Sequence, residues 1–159
     1  MLVVAIDVAQ APNDKQQLEP MLGKIEALPE ELGEAETLLA DTGYFSAGNV
    51  EACEKARVEP LIAMGRQPHH PPLEERFEPT PPAPKNPTPV EHMAHRLKTP
   101  EGRDLYALRK QTPEPVFGII KSVLGFRQFS MRGLEKVRGE WSLVTMAWNM
   151  KRMFVLNPA

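Results

Sequence analysis

Residues 37–46 read Thr37-Leu-Leu-Ala-Asp-Thr-Gly-Tyr-Phe-Ser46, and their order decides the fold. Thr37 to Ala40 is a short apolar run, the pattern of a buried strand, and it delivers Asp41 at its C-terminal end. Gly43 marks a turn, and Ser46 is placed to cap a helix carrying Val50, Cys53 and Ala56 at helical spacing. Pro60-Leu-Ile-Ala-Met64 reads as the next strand. Upstream, Leu2 to Val8 is apolar and β-branched and is followed by the turn-like Ala11-Pro-Asn-Asp14, which predicts a first strand. Asp14 is placed to cap a helix with Leu18, Met21, Leu22 and Ile25 on one face, and Pro20 forces a kink or a late start. The order β-α-β-α-β predicts an α/β sheet with parallel neighbours. Sites in such sheets assemble at the carboxyl ends of strands, where Asp41 lies. A helix-cap or turn role accounts for a single aspartate there equally well.

Beyond Met64 the composition changes. Nine prolines fall between Pro68 and Pro89, including Pro79-Thr-Pro-Pro-Ala-Pro84, and this stretch is expected to be an extended surface excursion. Helical segments are predicted over Val90–Leu97, Gly102–Lys110 and Val116–Leu124, the last ended by Gly125. In the final segment Leu134, Val137, Trp141, Val144, Trp148 and Lys151 recur at spacings of three, four, three, four and three, an amphipathic helix with an aromatic core face. The chain thus divides into an α/β part over 1–65, a Pro-rich insertion or loop over 66–89 and a helical part over 90–159.

With 159 residues, 42% hydrophobic and 25% charged, the chain has the balance of a globular domain. No apolar run is long enough to span a bilayer, so no membrane partner is expected. The run Leu2–Ile6 is ended by Asp7 and follows no basic region, which is unlike a signal peptide. Cys53 is the only cysteine, which excludes an internal disulfide and fits a reducing cytoplasm. Its helical spacing to Val50 and Ala56 reads as a small buried side chain rather than a nucleophile. The net charge of -2 hides an asymmetry: residues 1–90 hold 7 Lys/Arg against 15 Asp/Glu, and residues 91–159 hold 12 against 6. A basic C-terminal half attracts polyanions, although an ordinary solvated surface has the same composition. His69, His70, His92 and His95 lack a cysteine or well-placed carboxylate to complete a zinc set. There is no Gly-rich phosphate loop after a strand and no Gly-x-Ser-x-Gly elbow.

Ala40-Asp-Thr-Gly-Tyr-Phe-Ser46 resembles the segment that holds the second catalytic Asp of bacterial insertion-sequence DDE transposases. Tyr106-Ala-Leu-Arg109, followed by Glu114-Pro-Val-Phe-Gly-Ile-Ile-Lys121, resembles that family's Tyr-Arg-Glu-Lys signature. Gly125-Phe-Arg-Gln-Phe-Ser-Met-Arg-Gly133 and Trp148-Asn-Met-Lys-Arg152 are similar to family segments as well, so the likeness extends from Leu2 to Met153. It implies a ribonuclease-H-like α/β fold, here with a short three-stranded sheet and a helical C-terminal part. It also implies metal-dependent cleavage and strand transfer of DNA.

That chemistry is in-line displacement at phosphorus assisted by two divalent ions, held by three carboxylates. Hard carboxylate oxygens suit Mg2+ (or Mn2+). By resemblance, Asp41 bridges the ions and Glu114 ligates one of them, so their carboxylates are expected within about 8 Å of each other. Arg109 and Lys121 hold phosphates, Tyr106 packs against DNA backbone or base, and Arg132 with the stretch up to Arg138 adds DNA contacts. Glu114 and Lys121 are two helical turns apart, about 10 Å along one face. A first-turn glutamate stabilised by the helix dipole is the plain reading of Glu114.

Two departures stand out. Four residues, not the signature's three, separate Arg109 from Glu114; Lys110 fits that gap but breaks the spacing to Tyr106, so either residue fills the basic role. Pro113 and Pro115 flank Glu114 and predict a helix break there.

The resemblance further places the family's first catalytic Asp on a strand before the position matching Leu2. The chain is therefore expected to be the C-terminal portion of such a transposase, inactive alone and holding one metal ion weakly or none. Asp7 and Asp14, on and after the edge strand, are not placed to replace that ligand. Expected partners are DNA at transposon ends and, among proteins, a second copy or an intact transposase; the expected location is the bacterial cytoplasm, at the nucleoid. A non-catalytic DNA-binding or dimerising regulator is the alternative, and a structural α/β domain with Asp41 and Glu114 as capping groups is a third.

Overall fold

The computed structural model describes residues 1–65 and 80–157. Chain contacts divide it into two compact units, one made of Asn13–Arg109 and one of Met1–Pro12 with Lys110–Ala159.

The first unit carries the sheet. Strands β1 (Thr37–Ala40) and β2 (Glu59–Ile62) pair in parallel, with Thr37 opposite Glu59 and Ala40 opposite Ile62. Helix α2 (Ala47–Lys55) makes the crossover between them, as parallel neighbours require. The backbone N–H groups of Glu59 and Ala63 donate to Glu36 and Ala40 on the β1 side. Pro60, one residue on from Glu59, therefore turns its donor-less nitrogen away from β1, which blunts the outer edge of the sheet.

Helix α1 (Leu18–Glu26) starts late, after a single 3-10 turn over Asp14–Gln17, and Pro20 falls in its first turn where a missing N–H costs nothing. Asp14 does not cap this helix; it is the first residue of the 3-10 turn. Helices α3 (Pro89–Arg96) and α4 (Pro100–Ala107) begin one turn earlier or less than the periodicity suggests, each on a threonine cap followed by proline. Leu18, Leu22, Val50, Cys53, Val58, Ile62 and Met93 form the buried core, so α1, α2 and α3 all close on the sheet. Arg96 reaches Glu59 at 2.9 Å and ties α3 to β2.

In the second unit, α5 (Pro113–Ser122) and α6 (Leu134–Leu156) pack through Val116, Ile120 and Trp148, with Val3, Phe126, Trp141 and Val144 around them. The rings of Phe117 and Trp141 stack at 5.7 Å. Gly125 ends the α5 segment with φ 73°, the left-handed conformation that glycine adopts without strain.

Two expectations need correction. Leu2–Val8 forms no strand: the described residues contain two strands, not three. The Val3 N–H donates to Asn149 Oδ1 at 2.8 Å, and Asn149 Nδ2 donates to the Val3 carbonyl at 2.6 Å, so a side-chain amide occupies the groups that a neighbouring strand would use. A β-branched composition favours extended backbone locally, but a strand exists only with a partner. Second, Lys151 is exposed rather than part of the core face of α6. Of the Pro-rich stretch, 66–79 lies outside the described residues, and 80–88 has no helix or strand. No helix among the described residues is long and apolar enough to cross a membrane.

Two backbone sites give opposite expectations. Arg57 ends α2 at φ 58° while the Val58 N–H bonds the Cys53 carbonyl, a helix stop that favours glycine. Arg57→Gly should raise stability by up to about 1 kcal/mol. A Cβ on Gly102 would lie 1.9 Å from the Arg96 carbonyl oxygen, a backbone atom that cannot yield. Gly102→Ala should cost about 1–3 kcal/mol. Urea unfolding of both variants tests the pair.

Candidate functional site

Asp41 follows the last residue of β1 and turns the chain sharply. Its Oδ1 accepts the N–H of Gly43 at 2.9 Å, capping the 3-10 turn Thr42–Tyr44. Ser46 then accepts the N–H of Asn49 at 3.1 Å and starts α2, as its position in the sequence implies. Asp41 itself is exposed.

The side chain of Asn49, 8% exposed, holds this end of the sheet together. Its Nδ2 donates to the Tyr44 carbonyl at 2.7 Å and to the Lys15 carbonyl at 2.9 Å. One amide thereby fastens the turn after Asp41 to the turn that begins with Asp14. The outcome shows at Gly43, where a Cβ would stand 3.0 Å from Asp41 Oδ1 and 3.5 Å from Asp14 Oδ2. Two carboxylates thus flank one glycine. Along the sequence Asp14 merely follows the edge segment, with no sign of a role at the site; the structure brings it beside Asp41. The Asn49 contact is 34 residues long in sequence to Lys15, and no local pattern announces it.

Both carboxylates act on Tyr44. Burial, then the charge of Asp14, then that of Asp41 raise its hydroxyl above the ordinary 10.0. Cys53, fully buried in the core, is pushed up to about 11 by desolvation alone, which is the setting of an inert structural thiol.

Tyr106 and Arg109 belong to the same unit as Asp41. The Tyr106 hydroxyl donates to the Ala40 carbonyl at 3.2 Å, and the Arg109 guanidinium carbon lies 5.7 Å from the centre of the Tyr106 ring. The Tyr-x-x-Arg motif therefore locks onto the residue that precedes Asp41. The Tyr106 hydroxyl thus bonds the protein backbone, a contact that no local sequence pattern announces. Lys110 is exposed.

Glu114, Lys121 and Arg132 lie in the other unit. Pro113 opens α5, so the helix break predicted around Glu114 falls just before it, and Glu114 sits exposed in the first turn with Lys121 in the last. Arg132 is exposed in the loop before α6. That loop is held by Glu140, which accepts the N–H groups of Ser130 at 2.8 Å and Met131 at 3.1 Å; these bonds keep its carboxyl below the usual range. Arg138 pairs with Asp7 at 3.0 Å and Glu135 at 3.3 Å, so it serves the fold. His95 Nε2 lies 2.9 Å from the Pro81 carbonyl.

Magnesium keeps several waters and needs only one or two protein carboxylates. Asp41 with Asp14 beside it fits one such ion by donor chemistry. Among the described residues no three potential ligands cluster.

Residues 83–154 match the family described as the transposase DDE domain. The match contains Tyr106, Arg109, Glu114, Lys121 and Arg132, and Asp41 lies before it. The match covers less than half of the chain and supports a relation to transposase DDE domains. Comparisons with curated proteins and with solved structures found no match.

Two outcomes test the turn assembly. Asn49→Ala should cost about 1–3 kcal/mol, since it strips two carbonyls of their donor. In a Tyr106→Phe background, absorbance titration should place Tyr44 above 10.0, and Asp41→Asn should lower it. Because the folded value is raised, stability should hold below pH 10 and fall as the pH rises from there towards the folded value.

Proposed function

We propose that the chain is part of a bacterial insertion-sequence DDE transposase, in which Asp41 and Glu114 are two of the three carboxylates that hold the catalytic metal. The carrying observation is that the matched segment, 83–154, contains the Tyr106–Lys121 signature in order. The hydrogen bond from Tyr106 to Ala40 supports the inclusion of Asp41, because it connects the signature to a carboxylate outside the matched segment.

The residues divide the work by chemistry. Asp41, with one oxygen bonded by the Gly43 N–H, presents a carboxylate to a hard cation. Asp14 strengthens that attraction. Tyr106 fixes the strand end from behind, so a shift of Asp41 would require breaking the bond to Ala40. Glu114 supplies a second carboxylate, and Lys121 and Arg132 attract DNA phosphates. Arg109, lying over the Tyr106 ring, or Lys110 in solvent takes the remaining cationic role. Divalent metal, when bound, supplies charge stabilisation at the scissile phosphate. The division into an α/β part over 1–65, a Pro-rich excursion over 66–89 and a helical part over 90–159 belongs to this reading, as does a location at the bacterial nucleoid.

The 159 residues provide two of the three carboxylates such a site uses, so by themselves they should be inactive. Regulation of an intact transposase, through DNA binding or pairing with another chain, is the second reading, favoured by the exposed basic residues Lys121 and Arg132.

DNA binding by the chain should weaken with salt, and Lys121→Ala should reduce the slope of log K against log salt by about one. An unchanged slope would argue against a phosphate contact at Lys121. With Mg2+ or Mn2+ and transposon-end DNA, no cleavage is expected. Robust cleavage lost on Glu114→Gln would overturn the predicted inactivity while supporting the assignment of Glu114. Salt-dependent DNA binding without cleavage, unaltered by metal and by Asp41→Asn, would favour the regulatory reading.

A further inference from the structure

Helix α6 is apolar on two opposite faces. Trp141, Val144 and Trp148 form the face that joins the core with α5. About half a turn away, Leu143, Met146, Met150, Met153 and Phe154 share a second face, since at about 100° per residue they fall within roughly a third of the circumference. These five are 61%, 53%, 50%, 50% and 76% exposed. Val4, 55% exposed, stands beside them, and the three methionines line a groove of about 390 Å³ with residues 3–6. A solvent-facing helix normally carries polar residues there.

We propose that this face is the interface of an antiparallel, two-fold pairing of α6 between two copies of this chain. Three observations carry it. The first is area: with roughly 150–200 Å² for the surface of a large apolar side chain, the exposed parts of these six residues come to about 600 Å². That is the upper end of the largest apolar patch on an ordinary monomer, about 300–600 Å². Two such faces supply about 1,200 Å², the lower bound of a stable specific interface.

The second observation is charge. Glu140 and Lys151 lie eleven residues apart, close to three whole turns, and so on the same flank of the stripe. In an antiparallel pair like flanks meet, whereas in a parallel pair they lie on opposite sides. When Met146 faces Met146 of the second copy, Leu143 comes opposite Met150 and Glu140 comes beside Lys151. The Glu140 carboxylate is already fixed in place by the N–H groups of Ser130 and Met131. The third observation is shape. In the same register Gly139, with open space where a side chain would be, faces the bulky Met153 and Phe154. The stripe is thus complementary to itself in one direction only, the property that a two-fold interface needs.

The pairing stands on α6 and does not depend on the transposase reading. Sedimentation equilibrium of the whole chain should give a dimer that dissociates on dilution, in the micromolar range for an interface of this size. Met150→Glu and, independently, Leu143→Lys should weaken it at least about tenfold. Both side chains are at least half exposed, so circular dichroism should be unchanged, and either variant suffices if the other misfolds. In a Cys53→Ser background, Met146→Cys should cross-link to itself under oxidation while Phe154→Cys should not. A chain monomeric at about 100 µM, a dimer indifferent to both charged variants, or ready self-cross-linking of Phe154→Cys would each overturn the proposal.

Discussion

The end of the sheet depends on one side-chain amide. Asn49 sits in the first turn of α2, where its backbone N–H is already satisfied by Ser46, and its Nδ2 is left to satisfy the carbonyls of Lys15 and Tyr44. The Tyr44 carbonyl ends the 3-10 turn Thr42–Tyr44, whereas that of Lys15 lies in the 3-10 turn Asp14–Gln17, which runs on into α1. A carbonyl that loses its donor is costly, so the amide helps to fix where these turns go. Asp14 and Asp41 are carried along by that requirement. Their closeness is a by-product of backbone satisfaction, and the negative potential around Gly43 is its electrostatic consequence. The raised Tyr44 hydroxyl reports the same crowding.

The second unit repeats the device. Asn149 takes both backbone groups of Val3, and Arg138 takes Asp7 and the carbonyl of Val8. The N-terminal stretch is therefore held by side chains of α6 at both ends and has no need of a strand. This explains which parts of the fold are legible in the sequence. Asp41 at a strand end, the Ser46 cap, the late start of α1 at Pro20 and the aromatic face of α6 are local features, encoded within one or two turns of chain. The conformation of Leu2–Val8 is not legible, because strand formation is decided by a partner. Nor is the place of Asp14, because its neighbour is chosen through Asn49, 34 residues from Lys15.

The candidate site is legible in a different way. Asp41, Tyr106, Arg109, Glu114 and Lys121 are found by motif, and a motif lists residues without saying what each touches. Tyr106 shows the difference: its hydroxyl is spent on the Ala40 carbonyl. The electrostatic split follows the same line. Acidic residues crowd the turns around Gly43, while exposed Lys121 and Arg132 belong to the unit built on α5 and α6. A phosphate is repelled by bare carboxylates, and a cation bound at Asp41 and Asp14 would offset that repulsion.

The extra residue between Arg109 and Glu114 has a physical explanation in the backbone. Inserted into a continuous α-helix, one residue would turn everything after it by about 100° and carry Glu114 to another face. Here α4 ends at Ala107, a 3-10 turn covers Leu108–Gln111, and α5 starts afresh at Pro113. Thr112, with φ -106° and ψ -76°, separates the two helical paths, and proline at the first helical position restarts the second without needing an N–H donor. The division between the two compact units falls at this same point, after Arg109. An insertion at such a break leaves the face of α5 to be set by its own core residues, Val116 and Ile120, rather than by counting from Tyr106. The prolines around Glu114 thus place the irregular spacing at a helix break, where one residue more or less leaves the helices on either side intact.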